Sequence, residues 1–140
     1  MKVKIHRELD NTSSLIDEVK RSSNEIGAIA VFIGVVRGVS YGERVLRLEY
    51  EAHEVLAEKV MEKIIEESKD KYGIIDAIVE HKIGSVGVGE DVMKIVVASR
   101  HRRECFKALM EIVDRVKHEV PIWKKEVTEK RSYWVEGSEN

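Results

Sequence analysis

The only proline of this chain, Pro121, fixes where the last long helical segment must end. Proline has no amide hydrogen and disfavours helical backbone at the residue before it. Apolar residues recur at helical spacing from Arg102 onward, which predicts a helix over residues 102–119. This helix must stop before residue 121, and Lys117 therefore falls in its last turn.

Two features of this helix oppose the usual preferences. Basic groups crowd its N-terminal end, namely Arg100, His101, Arg102 and Arg103. The helix dipole is positive at that end and favours anions. A row at the i, i+4, i+7 spacing of a buried face ends on a lysine: Phe106, Met110, Val113 and Lys117. Rules broken without local compensation often mark functional sites, so we interpret the segment as an anion site coupled to an activated lysine.

Composition and charge narrow the class of protein. The 140 residues are 43% hydrophobic and 36% charged, as in a globular chain with a real core. No apolar run approaches a membrane span, and the start MKVKIHRELD lacks a signal-peptide apolar region. We expect one cytoplasmic domain over residues 1–140, without membrane attachment. Residues 100–131 carry ten Lys or Arg against six Asp or Glu, a local excess of +4 that suits a small anionic ligand better than nucleic acid.

The order of predicted elements indicates an α+β fold. Seven strands are predicted, over Lys2–Leu9, Gly27–Arg37, Arg44–Ala52, Ile74–Ile83, Asp91–Ser99, Ile122–Thr128 and Ser132–Val135. Three helices are predicted, over Thr12–Ser22, Glu54–Tyr72 and residues 102–119. The order βαββαββαββ, with strand pairs joined by short loops and separated by helices, favours a largely antiparallel sheet.

Lys117 is the first candidate for a reactive amine, with either Lys124 or Lys125 as the second. Partial burial on an apolar face lowers the pKa of a lysine and makes its amine available for proton transfer or nucleophilic attack. The opposing interpretation is a lysine at a helix C-terminus that extends its ammonium to water. Lys124 and Lys125 follow Pro121 on a predicted strand, where alternation places them on opposite faces, so only one can share a pocket with Lys117.

Three further residues are candidates for holding an anion. His101 and Arg102 stand at a strand-to-helix junction, where backbone N–H groups and basic side chains point the same way. Arg37 ends the most apolar strand, between Gly34 and Gly38, and is placed to meet a bound anion. The alternative is ordinary solvated basic groups at a turn and at a strand end.

The remaining signals are weak. The stretch from Gly84 to Gly89 lacks the Gly-Lys-Ser/Thr ending of a phosphate loop and sits between two strands, so we predict a hairpin turn. The five histidines show no paired metal-ligand spacing, which argues against a metal site. Cys105, the only cysteine, is predicted to be a small core residue.

An ordered set of short motifs resembles the MoaE family, the large catalytic subunits of molybdopterin synthase, over nearly the whole chain. The motifs are FIGVVR at 32–37, LEYEA at 48–52, HKIG at 81–84 with Gly89-Glu90, His101-Arg102, Phe106, Lys117, PIWKKE at 121–126 and Trp134. Each motif is unremarkable alone. Their order, with His-Arg before a helix and two lysines across Pro-x-Trp, is specific.

The resemblance implies an α/β hammerhead fold and a sulfurtransferase. Such an enzyme adds two sulfurs to cyclic pyranopterin monophosphate and forms the molybdopterin dithiolene, with no cofactor or metal of its own. The sulfur comes from the C-terminal Gly-Gly thiocarboxylate of a small ubiquitin-like subunit. Two large subunits form a homodimer within a heterotetramer, and the pocket draws residues from both.

By position, the resemblance makes Lys117 and Lys124 catalytic. It assigns the anionic substrate to Arg37, His101 and Arg102, with Phe32 lining the same region. The rival interpretation is a non-enzymatic, dimeric α+β module that binds an anionic metabolite. A desolvated Lys117 argues against that module, because binding alone does not require such an amine.

Overall fold

The computed structural model describes residues 1–135, in which three helices and nine strands follow one another. The strands are β1 (Lys2–His6), β2 (Ala28–Val35), β3 (Val39–Ser40), β4 (Glu43–Ala52), β5 (Asp76–Lys82), β6 (Gly84–Gly87), β7 (Asp91–Ser99), β8 (Ile122–Thr128) and β9 (Ser132–Trp134). The helices are α1 (Thr12–Lys20), α2 (Glu54–Tyr72) and α3 (Arg102–Glu119). The predicted α+β class is confirmed.

A four-stranded sheet forms the centre of the molecule, in the order β1-β5-β7-β2. Strand β1 runs parallel to β5, and the other neighbouring pairs are antiparallel. The middle strand β7 is mostly apolar without alternation, and from Val92 onward it is buried on both faces. Strand β2 lies at one edge of this sheet.

Helices cover both faces of the central sheet. Helices α2 and α3 pack on one face through a core that includes Met61, Ile64, Ile95 and Ile112. Helix α1 packs on the other face, where Leu15 and similar residues meet Ile78, Val96 and Ala98. Burial of an amphipathic face supplies most of the stability of such helices. None of the helices within residues 1–135 is both long and apolar enough to cross a membrane.

A second, five-stranded sheet carries part of the functional cavity. Its order is β3-β4-β8-β9, and β6 pairs with β4 beside β3. Strand β6 was predicted as a hairpin turn, and this prediction is wrong. Val86 is fully buried and pairs with Leu48, so the segment completes an otherwise open edge of β4. The short strand β3 likewise lies in a predicted loop, where it forms a hairpin with β4.

The predicted helix ends are confirmed for α2 and α3. Gly73 terminates α2 in the left-handed conformation, at φ 67°, which glycine adopts without steric cost. Val120 is extended and precedes Pro121, as a residue before proline must be. The strands β1 and β2 are shorter than predicted, and α1 ends at Lys20 rather than Ser22.

The predicted buried row on α3 is wrong in half of its members. Phe106 and Met110 are 64% and 67% exposed, whereas Val113 is buried. The buried row is instead Cys105, Ala108, Ile112 and Val116. It is offset by one residue, or about 100° around the helix. Phe106 and Met110 therefore lie on the flank of α3, and no segment within residues 1–135 covers them. Cys105 is buried as predicted.

Candidate active site

A cavity of about 890 Å³ lies where α3 ends and the second sheet meets the central sheet. Four of the predicted site residues line it: Phe32, Arg37, Lys117 and Lys124. Phe32 comes from β2, and Arg37 follows that strand by two residues. Lys117 comes from the last turn of α3, and Lys124 from β8 just past the proline. The turn at Pro121 thus brings a lysine of a helix and a lysine of the following strand to one cavity.

Lys117 is held in a partly desolvated position. Its Nζ lies 5.7 Å from the centroid of the Phe32 ring, within the range of a cation–π contact. Burial lowers the pKa of Lys117, and the positive charges of Lys124 and Arg37 lower it further, while Asp114 opposes them. The amine is therefore easier to deprotonate than a surface lysine, as the sequence predicted.

Alternation along β8 separates the two neighbouring lysines as predicted. Lys124 lines the cavity and pairs in register with Tyr50 of β4. Lys125 is not among the residues that line it, and its ammonium lies 3.8 Å from the carboxylate of Glu49. Only Lys124 can therefore act together with Lys117.

His101 and Arg102 lie at the opposite end of α3. Arg102 is the first residue of that helix and is exposed, as is His101 at the N-cap. The 15 positions from Arg102 to Lys117 correspond to about 22 Å along a helix axis. Neither basic residue lines the cavity. A single chain therefore brings Arg37 and the two lysines together, but it does not bring His101 and Arg102 to them.

Among the polar residues that line the cavity and that sequence reasoning had not assigned, three are buried: Tyr50, His81 and Glu126. Tyr50 and His81 pack edge to face, with ring centroids 5.0 Å apart. Burial raises the pKa of Tyr50, and the carboxylate of Glu126 adds to this effect. Glu126 in turn accepts a 2.6 Å hydrogen bond from the Tyr133 hydroxyl. All three lie within the resemblance motifs, but their burial depends on the pairing of distant strands.

A separate polar cluster on the opposite face of the central sheet joins His6, Asp10 and Glu80. Potential metal-ligand atoms of these residues lie within 4.8 Å of one another. Lys2 and Lys4 already donate hydrogen bonds to the two carboxylate oxygens of Asp10. These ammonium groups oppose a further cation, so we describe the cluster as an ion-pair network.

Comparison with known proteins shows the family. The family model for the MoaE protein matches residues 5–119. The chain belongs to the MoaE family. The molybdopterin synthase catalytic subunit of Pyrococcus abyssi is 46% identical over 116 residues, which span 83% of this chain and 78% of that protein.

Solved structures of MoaE relatives share the fold. Molybdopterin synthase from Staphylococcus aureus matches with a TM-score of 0.84 at 33% identity, covering 94% of this chain and 95% of that one. A chain from a protein-protein complex of subunits 1 and 2 of the Helicobacter pylori molybdopterin-converting factor matches with a TM-score of 0.77 at 23% identity. That match covers 96% of this chain and 90% of the other, and it is a likeness of fold.

Proposed function

We propose that this chain acts as the catalytic subunit of a molybdopterin synthase. It transfers sulfur from the thiocarboxylated C-terminus of a small ubiquitin-like subunit to cyclic pyranopterin monophosphate, and so forms the molybdopterin dithiolene. The observation that carries the proposal is the convergence of Lys117 and Lys124 on one cavity beside Arg37, in a chain of the MoaE family.

The charges of the cavity fit both reactants. The pyranopterin phosphate and the thiocarboxylate are anions, and the guanidinium of Arg37 provides charge-assisted hydrogen bonds to a phosphate. Trp123 and Trp134 also line the cavity and offer aromatic surface to a flat pterin ring. Both reactants are thus attracted to the cavity that holds the two lysines.

The lowered pKa of Lys117 suits it to proton transfer. A lysine whose pKa is lowered gives up its proton more readily, so it can protonate a leaving oxygen and take the proton back in a later step. Lys124, which remains close by, provides positive charge where negative charge develops on oxygen or sulfur. Phe32 holds the Lys117 ammonium through its ring face. These roles assign both lysines to the chemistry and Arg37 to binding.

His101 and Arg102 would complete the cavity from a second copy of the chain. The exposed Phe106 and Met110 lie on the same helix, next to the edge strand β2. That strand also exposes an apolar row on its other face: Val31, Ile33 and Val35. Exposed apolar side chains on both faces of an edge strand favour an interaction site. We propose a homodimer through this flank, within a heterotetramer that includes two small subunits.

Reconstitution tests the activity. The purified chain is mixed with a thiocarboxylated carrier subunit and the pyranopterin precursor, and dithiolene product is measured. We expect Lys117→Ala and Lys124→Ala to abolish most of the product, whereas Lys125→Ala serves as the matched control and retains it. A chain that makes no product where a MoaE relative does would refute the enzymatic proposal and favour the metabolite-binding module.

A further inference from the structure

His81 has a fixed hydrogen-bonding state at the edge of the cavity. It lies on β5 and is only 7% exposed, yet it contributes to the cavity lining. Its Nδ1 is 2.8 Å from the carbonyl oxygen of Lys82. A carbonyl only accepts hydrogen bonds, so Nδ1 carries the proton. The second ring nitrogen, Nε2, therefore carries a lone pair in the neutral imidazole and acts as an acceptor.

The surroundings of His81 keep the imidazole neutral. Burial lowers its pKa to about 4, and the nearby charges of Lys117 and Lys124 add to that effect, Lys117 more strongly than Lys124. The Tyr50 ring packs against it from β4. At neutral pH, His81 is thus a buried hydrogen-bond acceptor. The two lysines near it, Lys117 and Lys124, can only donate hydrogen bonds in their charged form.

We propose that His81 is a positioning residue for Lys117, whose amine donates a hydrogen bond to its Nε2. This proposal deepens the proposed function and rests on it for its catalytic meaning. Both the ammonium and the neutral amine of a lysine carry N–H donors, so the contact persists when Lys117 gives up a proton. A fixed acceptor holds the amine in one place through both protonation states, as an acid–base group requires.

Other charged groups near Lys117 also act on its pKa, besides the proposed hydrogen bond. Arg37 approaches from the end of β2, Lys124 comes from β8 and Asp114 lies on α3 itself. Glu126 of β8 lines the same cavity, and one of its oxygens accepts the hydroxyl of Tyr133. A hydrogen bond from an ammonium to a neutral acceptor favours the charged form and partly opposes the effects of burial and of the two cations.

Titration of Lys117 provides the first test. The rate at which its amine is labelled by an acylating reagent is measured against pH by peptide mass spectrometry, without substrate. Loss of a hydrogen bond to a charged group predicts a labelling midpoint lower by about one pH unit. We expect this shift in His81→Phe, which keeps an aromatic ring but no ring nitrogen. We expect it also in His81→Asn, whose side-chain amide keeps the hydrogen bond to the Lys82 carbonyl but has no acceptor at the position of Nε2. His81→Gln, which restores an acceptor near Nε2, should titrate like the wild type.

Nitrogen NMR of the imidazole provides a second test that needs no change at His81. Lys117→Ala should move the Nε2 resonance of His81, whereas Lys124→Ala should leave it nearly in place. An unmoved resonance in Lys117→Ala overturns the proposal, as does a labelling shift confined to Lys124. Neither measurement uses turnover. A chain that shows both effects but makes no dithiolene would therefore refute the proposed function and keep the positioning role.

Discussion

A mixed dimer tests whether two chains build one site. One chain carries Lys117→Ala and the other Arg102→Ala, each with a different affinity tag, so that dimers containing both can be isolated. If Arg102 serves the cavity of the partner, one cavity in the mixed dimer loses both residues and the other keeps both. If Arg102 serves its own cavity, each cavity lacks one required residue.

The expected magnitudes follow from this geometry. About 22 Å of helix separates Arg102 from Lys117, too far for both side chains to contact one phosphate-sized group within a chain. With the residues shared across a two-fold axis, the mixed dimer retains about half of the wild-type activity. The Arg102→Ala dimer alone loses a charge-assisted hydrogen bond worth about 1.5–3 kcal/mol, or roughly 10- to 150-fold in kcat/KM.

The assay measures kcat/KM for dithiolene formation at low precursor concentration. The matched control replaces the Arg102→Ala chain with Lys107→Ala, a change at an exposed lysine of the same helix. Dimers of Lys117→Ala with Lys107→Ala should show about half of the wild-type activity in either arrangement. If the control reaches half while the Lys117→Ala and Arg102→Ala dimer stays inactive, the shared site is refuted.

Three further predictions concern the assembly and the fold. Phe106→Ser should weaken dimerisation by about 2 kcal/mol per copy, measured by sedimentation at several protein concentrations. The control Val55→Ser, also at an exposed position, should leave dimerisation unchanged. Equal dissociation of the two variants would contradict the interface. Glu80→Ala should lower the free energy of unfolding by about 3–5 kcal/mol, measured by urea titration at fixed protomer concentration. The reason is that the buried Glu80 carboxylate accepts a hydrogen bond from the Asp10 amide and lies 3.8 Å from the Lys2 ammonium. A loss below about 1 kcal/mol would contradict this role. The hydrogen bond from Lys2 holds the pKa of Asp10 far below its usual range, so the stabilisation by Asp10 is present above the unfolded pKa of about 4 and is lost as the pH falls. Asp10→Asn should therefore be less stable at neutral pH, and its free energy of unfolding should depend less on acid pH. An unchanged pH dependence would count against this role of Asp10.

Local sequence rules predicted the parts of the site that lie within one chain. Pro121 set the end of α3, and alternation along β8 placed Lys124 and Lys125 on opposite faces. Each of these inferences depends on residues fewer than ten positions apart. Backbone geometry alone decides them, because proline blocks a helix and strand side chains alternate whatever the tertiary context.

Contacts between distant segments were beyond such rules. The sequence from Gly84 to Gly87 predicts a turn, because its two glycines suit a loop as well as a strand. It becomes a strand because β4, some 35 residues earlier, offers an unpaired edge. The burial of the His81 imidazole likewise depends on the packing of Tyr50 against β5. No residue spacing in the local sequence predicts this burial.

The two rules that α3 breaks have different explanations. Lys117 follows an apolar row, and its own chain explains it, since Phe32, Arg37 and Lys124 surround it in a cavity. At the N-terminal end, Arg100 pairs with Glu25, but Arg102 and Arg103 have no such explanation: within residues 1–135, neither forms an ion pair, and both oppose the helix dipole. Phe106 and Met110, exposed on the same helix, are equally unfavourable in a lone chain. In the proposed homodimer, a second chain docked on this flank covers the apolar residues and carries the basic ones toward an anion, so one assembly accounts for both anomalies.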